Sequence, residues 1–340
     1  MRKTAGILAA VAIAASALIA APANADTVTI TSGGSSFSAG IMSTCAANYS
    51  DAKVTYTGSS SGTGRTNFAN GTFDFAGSDG TYGAADNPQP AAGSYKYIPV
   101  VGGPIAIVFN VAGVPALRLD STTIGAIFRG TITTWNDKAI AALNPTAKLP
   151  ATTIAVQYRG SKSGTNGNFA GYLAANKAAG WKNDQTWAIA TGLTNPVGTS
   201  APDNATVAVN VSKTANSIGY VDLKDAVALG LKAAAVKNNA GQFLLPTSAT
   251  AAKFLSNMPV ADNGVVSIDW SKAVPGGYNP SLITYAIVNT GAASTKGAAV
   301  KTFIQYVLNT CVPANAAKLG YVALAGSQAL KAKALALLIK

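Results

Sequence analysis

One loop of the chain combines a cation, hydroxyl groups and small residues in an order that suits an anion. Residues 158–165 read Tyr-Arg-Gly-Ser-Lys-Ser-Gly-Thr. An apolar run at 153–156 that is typical of a strand precedes this loop, and a segment at 168–175 that is typical of a helix follows it. A helix N-terminus presents free N–H groups and the positive end of a dipole, and a guanidinium such as that of Arg159 holds an oxyanion through two hydrogen bonds. The loop therefore indicates an anion-binding site.

An ordinary strand–turn–helix unit, capped by a serine or threonine, is the alternative for this loop taken alone. Its spacing is not the GxxxxGK[ST] of a P-loop. A second small-residue stretch reads Gly-Thr-Gly at 62–64, but residue 67 is Asn, so the third glycine of a dinucleotide fingerprint is missing. Neither nucleotide motif is supported.

The first 25 residues have the composition of a cleaved export signal. Arg2 and Lys3 are basic, residues 7–20 are apolar or small, and an Ala-Asn-Ala cleavage site ends the stretch at 23–25. No lipobox cysteine stands near that site. We therefore expect a mature chain of residues 26–340 that is periplasmic or secreted and has no lipid anchor.

The composition excludes several classes of site. The net charge of +12 falls to about +10 without Arg2 and Lys3, and it reflects scarce acidic residues, since charged residues make up only 11% of the chain. No dense basic run with interleaved aromatics supports nucleic-acid binding, whereas an anionic ligand fits the excess charge. The chain contains no His, which excludes a His/Cys zinc site and Ser-His-Asp or Cys-His catalysis. In an exported chain, Cys45 and Cys311 predict one disulfide.

The strand–loop–helix pattern of the Arg159 loop occurs earlier in the chain as well. We predict strands at 27–30, 53–56 and 73–79, small-residue loops at 32–37 and 58–64, and helices at 39–49 and 65–69. This alternation predicts an α/β fold with mostly parallel sheets, in which ligands bind beyond the carboxyl ends of the strands.

The remaining segments predict how two halves are connected. The long apolar segments 97–109 and 283–288 are candidate crossings between lobes. Further helices are predicted at 298–308 and 327–340, and loops are predicted at 198–212 and 238–241.

A series of short segments carries a family resemblance. In chain order they read Gly-Ser-Ser-Phe at 34–37, Tyr-Thr-Gly-Ser-Ser-Ser-Gly at 56–62, Asp-Phe-Ala-Gly-Ser-Asp at 74–79, Ile-Gly-Ala-Ile-Phe-Arg-Gly at 124–130, Thr-Thr-Trp-Asn-Asp at 133–137, Ala-Ile-Ala-Ala-Leu-Asn-Pro at 139–145, the Arg159 loop, and Ser-Ile-Gly-Tyr-Val at 217–221. Each segment alone is weakly specific. In this order and spacing, the chain resembles the periplasmic or secreted phosphate-binding proteins of high-affinity phosphate ABC uptake systems.

The resemblance implies a two-lobed periplasmic-binding-protein fold. Each lobe would be a mostly parallel α/β sheet flanked by helices, with lobe I formed by 26–103 and 284–340, lobe II formed by 104–283, and a two-strand hinge between them. The lobes would close over one phosphate, which a membrane ABC permease would then receive. The resemblance also implies a monomer without catalysis, metal or cofactor.

By position in the family's motifs, the phosphate-binding residues would be Ser36, Phe37, Ser61, Asp79, Arg159, Ser163, Gly164 and Thr165. Phe37 and Gly164 would contribute backbone N–H groups. Because phosphate at neutral pH still carries protons and sulfate carries none, the Asp79 carboxylate would accept a hydrogen bond from phosphate and repel sulfate.

The chain departs from the family at Ser161. Well-known members carry an acidic residue two positions after the loop arginine, where it pairs with that arginine. We therefore expect Arg159 to lack an acidic local partner and the site to be more positive.

Three other functions are open at this point. The same fold would serve another tetrahedral oxyanion or a small phosphorylated ligand, and Ser161 motivates that alternative. A secreted phosphatase acting through Ser163 or Ser61 would need a metal clamp or strong base. A surface adhesion or scavenging protein is the third.

Overall fold

The computed structural model describes residues 27–256 and 258–340, so the predicted export signal lies outside the described residues. The strands are β1 (Thr29–Gly34), β2 (Lys53–Gly58), β3 (Phe75–Ser78), β4 (Tyr95–Asn110), β5 (Arg118–Leu119), β6 (Ala155–Arg159), β7 (Thr199–Ala201), β8 (Ser217–Asp222), β9 (Lys232–Ala233), β10 (Ala235–Lys237), β11 (Phe243–Leu244) and β12 (Ser281–Asn289).

Helices alternate with these strands along most of the chain. They are α1 (Ala39–Ala47), α2 (Ser61–Ala69), α3 (Ser121–Phe128), α4 (Lys138–Leu143), α5 (Gly164–Ala175), α6 (Trp187–Thr191), α7 (Asn204–Lys213), α8 (Leu223–Ala228), α9 (Ser248–Leu255), α10 (Gly297–Tyr306), α11 (Val312–Asn315) and α12 (Gly326–Ala336), with a π-helical turn at Val307–Cys311 and a 3-10 turn at Ala317–Leu319. None of the helices in the described part of the chain is both long and apolar enough to cross a membrane.

The main sheet has the strand order β2-β1-β3-β12-β4-β8-β6-β7, with β9 beside β4. Strands β1, β2 and β3 run parallel to one another, and we call them the first wing. Strands β6, β7 and β8 are also parallel, and we call them the second wing. Antiparallel pairing through β12 and β4 joins the wings. The predicted α/β class is confirmed, with parallel sheets at both ends and an antiparallel centre.

Strand β4 connects the two wings. Its first part pairs with β12, from Tyr95 to Pro104, and its last part pairs with β8, from Ile105 to Asn110. Almost every residue of β4 is buried, as expected for an apolar strand that is covered on both faces. The segments predicted as crossings, 97–109 and 283–288, lie in β4 and β12.

Helix α2 begins earlier than the sequence predicts. The structure starts it at Ser61, and the Ser60 hydroxyl accepts a hydrogen bond from the Thr63 N–H as the N-cap. The Gly-Thr-Gly stretch is therefore helix rather than loop. A Cβ on Gly64 would lie 2.7 Å from the Gly34 Cα and 2.8 Å from the Gly77 carbonyl oxygen, so this glycine lets α2 pack closely against the first wing.

The prediction of a loop at 198–212 is wrong, because this segment contains β7 and all of α7 except its last residue, Lys213. The Asp203 side chain caps α7 by accepting a hydrogen bond from the Thr206 N–H. Val207 and Val211 are buried one helical turn apart. The cap followed by this spacing is the signal that the sequence interpretation missed.

The predicted disulfide joins Cys45 on α1 to Cys311 in the π-helical turn. Two hydrogen bonds reinforce this connection: the Tyr306 hydroxyl donates to the Asn48 carbonyl, and the Tyr321 hydroxyl donates to the Phe37 carbonyl. The C-terminal helices are thus fastened to the first wing, although they are far from it in sequence.

We expect the double substitution Cys45→Ala and Cys311→Ala to lower the free energy of unfolding by about 4 kcal/mol. The bond closes a loop with a sequence separation of 266 residues, and long closed loops restrict the unfolded chain most. Urea unfolding of both proteins measures the difference. A reductant should destabilise the wild type and leave the variant unchanged, and equal stability of the two proteins would contradict the prediction.

Candidate functional site

The carboxyl ends of the parallel strands in both wings meet at one cleft. Helices α1 and α2 begin just after strands of the first wing, and α5 and α7 begin just after strands of the second wing. Gly164 marks how closely they approach: a Cβ there would lie 2.5 Å from the Ser61 Oγ and 2.6 Å from the Asp79 Cβ. The Gly62 N–H also donates to the Lys162 carbonyl across the cleft, at 3.1 Å. Several helix N-termini therefore face a common point, which favours negative charge there.

Asp79 supplies a buried carboxylate at this point. Its Oδ1 accepts hydrogen bonds from the hydroxyls of Ser35 (2.5 Å) and Thr284 (2.6 Å). Among the described residues, its Oδ2 has only a long contact from the Ser61 hydroxyl, at 3.4 Å, while the Ser61 Oγ accepts from the Asp79 N–H. Burial raises the pKa of Asp79, and the donated hydrogen bonds and the charge of Arg159 oppose part of this increase. The carboxylate is thus held in one orientation, with Oδ2 the less engaged oxygen.

Arg159 supplies the opposing cation, and its side chain is 1% exposed. Its two Nη atoms donate to oxygen acceptors from both wings, which are the Ser36 Oγ, the Asn204 Oδ1, the Ser161 Oγ, and the carbonyls of Ser59 and Pro202. The Nε atom is buried, and within the described part of the chain it has no hydrogen-bond partner. An unpartnered buried donor is costly, and an anion would satisfy it.

The charge and position of Arg159 are set by its surroundings. Burial lowers its pKa, and electrostatic interactions with Tyr220 and then with Asp79 and Asp203 oppose that decrease; an arginine in such a setting remains charged. The Tyr220 hydroxyl accepts from the Arg159 N–H and donates to the Asn166 Oδ1. This pair of hydrogen bonds fixes the end of β6, from which the guanidinium extends.

The N-terminus of α5 is ordered by its own side chains. The Ser163 Oγ accepts from the Thr165 N–H as the N-cap, so its hydroxyl proton is free to point toward a ligand. The Thr165 Oγ1 accepts from the Asn204 Nδ2 at 3.3 Å. Asn204 is the first residue of α7 and is fully buried. Its Oδ1 also accepts a hydrogen bond from Arg159, so Asn204 connects the cation to α5.

The loop before α1 brings Ser36 to Arg159 from the first wing. The Ser36 Oγ accepts from Arg159 at 3.0 Å. The Phe37 ring is buried and packs edge-on against Tyr321, whose hydroxyl donates to the Phe37 carbonyl. The core therefore fixes the backbone of the residue that is predicted to offer its N–H to the anion.

All eight residues predicted from the sequence lie at this cleft, and their contact with phosphate stays a prediction. The sequence interpretation missed Ser35, Thr284 and Asn204. Ser35 directly precedes a predicted residue, and Asn204 follows the Asp203 cap, so local signals exist for both. Thr284 lies 205 residues from Asp79 in the chain and has no local signal. The described residues contain no cluster of three or more His, Cys, Asp or Glu that could hold a metal.

Ser161 takes the place of the acidic residue that is typical of the resembled family. Its Oγ accepts from Arg159 at 2.9 Å and contacts the Pro202 carbonyl at 3.0 Å. Arg159 thus has a neutral local partner, and the more positive site remains a prediction.

We expect Ser161→Asp to weaken anion binding about three- to tenfold, because a carboxylate beside Arg159 competes with the ligand for the same cation. The effect should shrink at high salt. Calorimetry at low and high ionic strength measures it, with Ser161→Asn as the neutral control of similar size. Unchanged affinity of the Asp variant at both salt concentrations would count against a positive site tuned by Ser161.

An open cavity of about 260 Å³ borders the Asp79 side of the cleft. Its walls include Gly164, Asn168, Gln185 and Trp270. The Arg159 side is closed by the hydrogen bonds described above, so Asp79 lies between the closed side and the cavity.

The fold and the cleft define an α/β binding protein with a buried cation, a buried carboxylate and converging helix N-termini for a small anion. Residues 20–310 match the model of the PBP superfamily domain. The phosphate-binding protein PstS2 of Mycobacterium bovis is 36% identical over 264 residues, which cover 74% of this chain and 70% of the relative. PstS 3 of Mycobacterium leprae is 35% identical over 265 residues with the same coverage.

A solved structure supports the same fold. A high-affinity periplasmic phosphate-binding protein (PfluDING), bound with phosphate, superposes with a TM-score of 0.73 at 22% identity, covering 90% of this chain and 93% of that one. The chain belongs to the phosphate-binding protein family within the PBP superfamily.

Proposed function

We propose that this chain is an extracytoplasmic binding protein that captures inorganic phosphate in the cleft and delivers it to an ABC permease. The observation that carries the proposal is the combination, at the N-termini of helices from both wings, of a buried Asp79 carboxylate and a buried Arg159 guanidinium that interact electrostatically. The relatives that are similar over most of the chain bear the name of phosphate-binding proteins, which supports the same ligand.

The site's chemistry distinguishes phosphate from sulfate. Arg159 supplies the positive charge, and the hydroxyls of Ser36, Ser61, Ser163 and Thr165, with backbone N–H groups of Phe37 and Gly164, replace the water that the anion loses. The Asp79 Oδ2 accepts the hydrogen bond of a P–OH group. Sulfate has no proton to offer, so it would leave two buried negative charges facing each other.

The wings support the proposed division into lobes. Lobe I comprises residues 26–103 and 284–340, which the disulfide and Tyr321 fasten together. Lobe II comprises residues 104–283. Crossing strands connect them, and closure of the lobes would sequester the anion. We further propose that the mature protein is a monomer, is released from its export signal, and works in the periplasm or outside the cell.

Calorimetric titration of residues 26–340 with phosphate tests the proposal. The protein is first unfolded and refolded to remove bound anion, and excess sulfate is present throughout. We expect tight one-to-one binding that sulfate does not reduce. Binding that sulfate abolishes would keep the anion site and overturn the selectivity, and absent binding would overturn the function.

The other candidates lack a comparable observation. The Ser163 Oγ caps α5, and Ser61 orients Asp79, so each hydroxyl has a structural task that requires no catalysis. The relatives are binding proteins by name, which does not favour a phosphatase or another oxyanion.

A further inference from the structure

A charged cluster connects the two wings directly beside the anion loop. Asp86, in the loop that follows β3, forms ion pairs with the Lys162 Nζ at 2.6 Å and with the Arg65 Nε at 3.2 Å. Arg65 lies on α2, and its Nη2 donates to the Gln185 Oε1 at 2.9 Å. Lys162 lies between β6 and α5, and Gln185 lies between α5 and α6, so both are on the second-wing side of the cleft. We call these four residues the clasp.

The clasp holds both ends of the anion site. Arg65 is 1% exposed and also donates to the Ser78 Oγ, next to Asp79. On the other side, the Gln185 carbonyl accepts from the Ser163 N–H, so Gln185 fixes the anion loop by its main chain. A contact between Arg65 and Gln185 therefore links the backbone around Asp79 to the backbone around Ser163.

Asp86 is the shared anion of the clasp. Burial raises its pKa, but the hydrogen bonds from Lys162 and the Gly83 N–H and the charge of Arg65 outweigh that effect, so the pKa is lowered and Asp86 stays ionised. Asp86 is 12% exposed and Lys162 is 37% exposed. A buried arginine that shares its carboxylate with a half-exposed lysine ties Lys162 to a part of the structure that cannot relax in water.

We propose that the clasp sets how long the closed cleft retains its anion, and that Lys162 and Asp86 are positioning residues rather than ligand contacts. This inference rests on the proposed phosphate binding. Opening of the cleft must separate Lys162 from Asp86 and Arg65 from Gln185, whereas the encounter of an anion with the open cleft does not involve these contacts. The clasp therefore acts on the dissociation rate.

The test measures phosphate association and dissociation rates by stopped-flow tryptophan fluorescence on wild type and variants. Lys162→Met should increase the dissociation rate about three- to tenfold, since a partly exposed ion pair contributes modestly. Asp86→Asn should increase it more, because it leaves the buried Arg65 without its carboxylate. Lys162→Arg keeps the charge and should restore slow release. Thermal unfolding checks that each variant is folded.

A matched control is available in the pair of Lys296 with Asp74, at 3.1 Å, with exposures of 39% and 21%. Both of its residues belong to the proposed lobe I, so Lys296→Met should leave the dissociation rate unchanged. Raising the ionic strength from about 0.02 to 0.5 M should speed release from wild type and have less effect on Lys162→Met.

The outcomes separate the clasp from the proposed function. If wild type binds phosphate and Lys162→Met slows association without changing the dissociation rate, Lys162 only attracts the anion, and the proposal that the clasp sets the dissociation rate is wrong. Equal dissociation rates in Lys162→Met and Lys296→Met would also overturn it. If wild type binds no phosphate, the proposed function itself fails.

Discussion

Replacing Arg159 with Met should weaken phosphate binding by roughly a thousandfold. The substitution removes the cation that compensates the ligand's charge and leaves Asp79 and the anion together in a buried cleft. Truncating one partner of a buried, hydrogen-bonded charge pair typically costs about 2–5 kcal/mol. Arg159→Lys keeps the charge but loses the planar fork, so we expect an intermediate loss. Calorimetric titration of each variant with phosphate, after unfolding and refolding to remove bound anion, measures both affinities.

Arg118→Met is the matched control for this experiment. Arg118 is exposed on β5, where its guanidinium lies over the Phe243 ring at 5.2 Å, and the substitution changes the net charge by the same amount. It should leave phosphate affinity within about twofold. Because Arg159 also contacts Ser36 and Asn204, thermal unfolding must show that the variant is folded. An affinity of folded Arg159→Met close to that of wild type would place the anion elsewhere.

The elements around this site were predictable where a local pattern defines them. β-Branched runs followed by Ser- and Gly-rich loops predicted β1, β2 and β6, and the carboxyl ends of parallel strands necessarily share one edge of a sheet. Arg159 and Asp79 stand at such ends, so their types and positions pointed to an anion site.

The contacts that orient these groups were not predictable in the same way. Thr284 lies on β12, which is distant from Asp79 in the sequence, and it reaches Asp79 because β12 pairs with β3. Asn204 reaches Arg159 because β7 lies beside β6. Both contacts depend on sheet order, which a single sequence does not specify. The short strand β7 and a polar helix start concealed Asn204 in a segment whose composition is typical of a loop.

Asp79→Asn should lower the affinity of the site for phosphate and raise its affinity for sulfate. The amide can keep its oxygen on the hydroxyls of Ser35 and Thr284, which places its NH₂ group where Oδ2 meets the ligand. Phosphate then loses the acceptor for its P–OH group, and affinity should fall about 10–100-fold, since a hydrogen bond to a charged group contributes about 1.5–3 kcal/mol. Sulfate gains a donor and loses a repelling charge, so its affinity should rise about tenfold or more.

Competition calorimetry with phosphate and sulfate measures this exchange. Asp262→Asn is the control, because Asp262 is a fully exposed carboxylate and the substitution changes the net charge equally. It should alter neither affinity. If Asp79→Asn still rejects sulfate as strongly as wild type does, Asp79 is not the discriminating group.

The same substitution should stabilise the phosphate-free protein. Burial raises the pKa of Asp79, so folding favours its neutral form, and its ionisation destabilises the fold. This penalty is absent below the usual pKa of an aspartate and grows as the pH rises through the raised value. The asparagine side chain of the variant cannot ionise, so the stripped variant should melt above wild type near neutral pH, with the difference shrinking as the pH is lowered. A lower melting temperature at every pH would mean that the carboxylate stabilises the empty cleft. A higher melting temperature of the variant near neutral pH, as expected, would mean that the protein needs the Asp79 carboxylate to select its ligand and not to stabilise the fold.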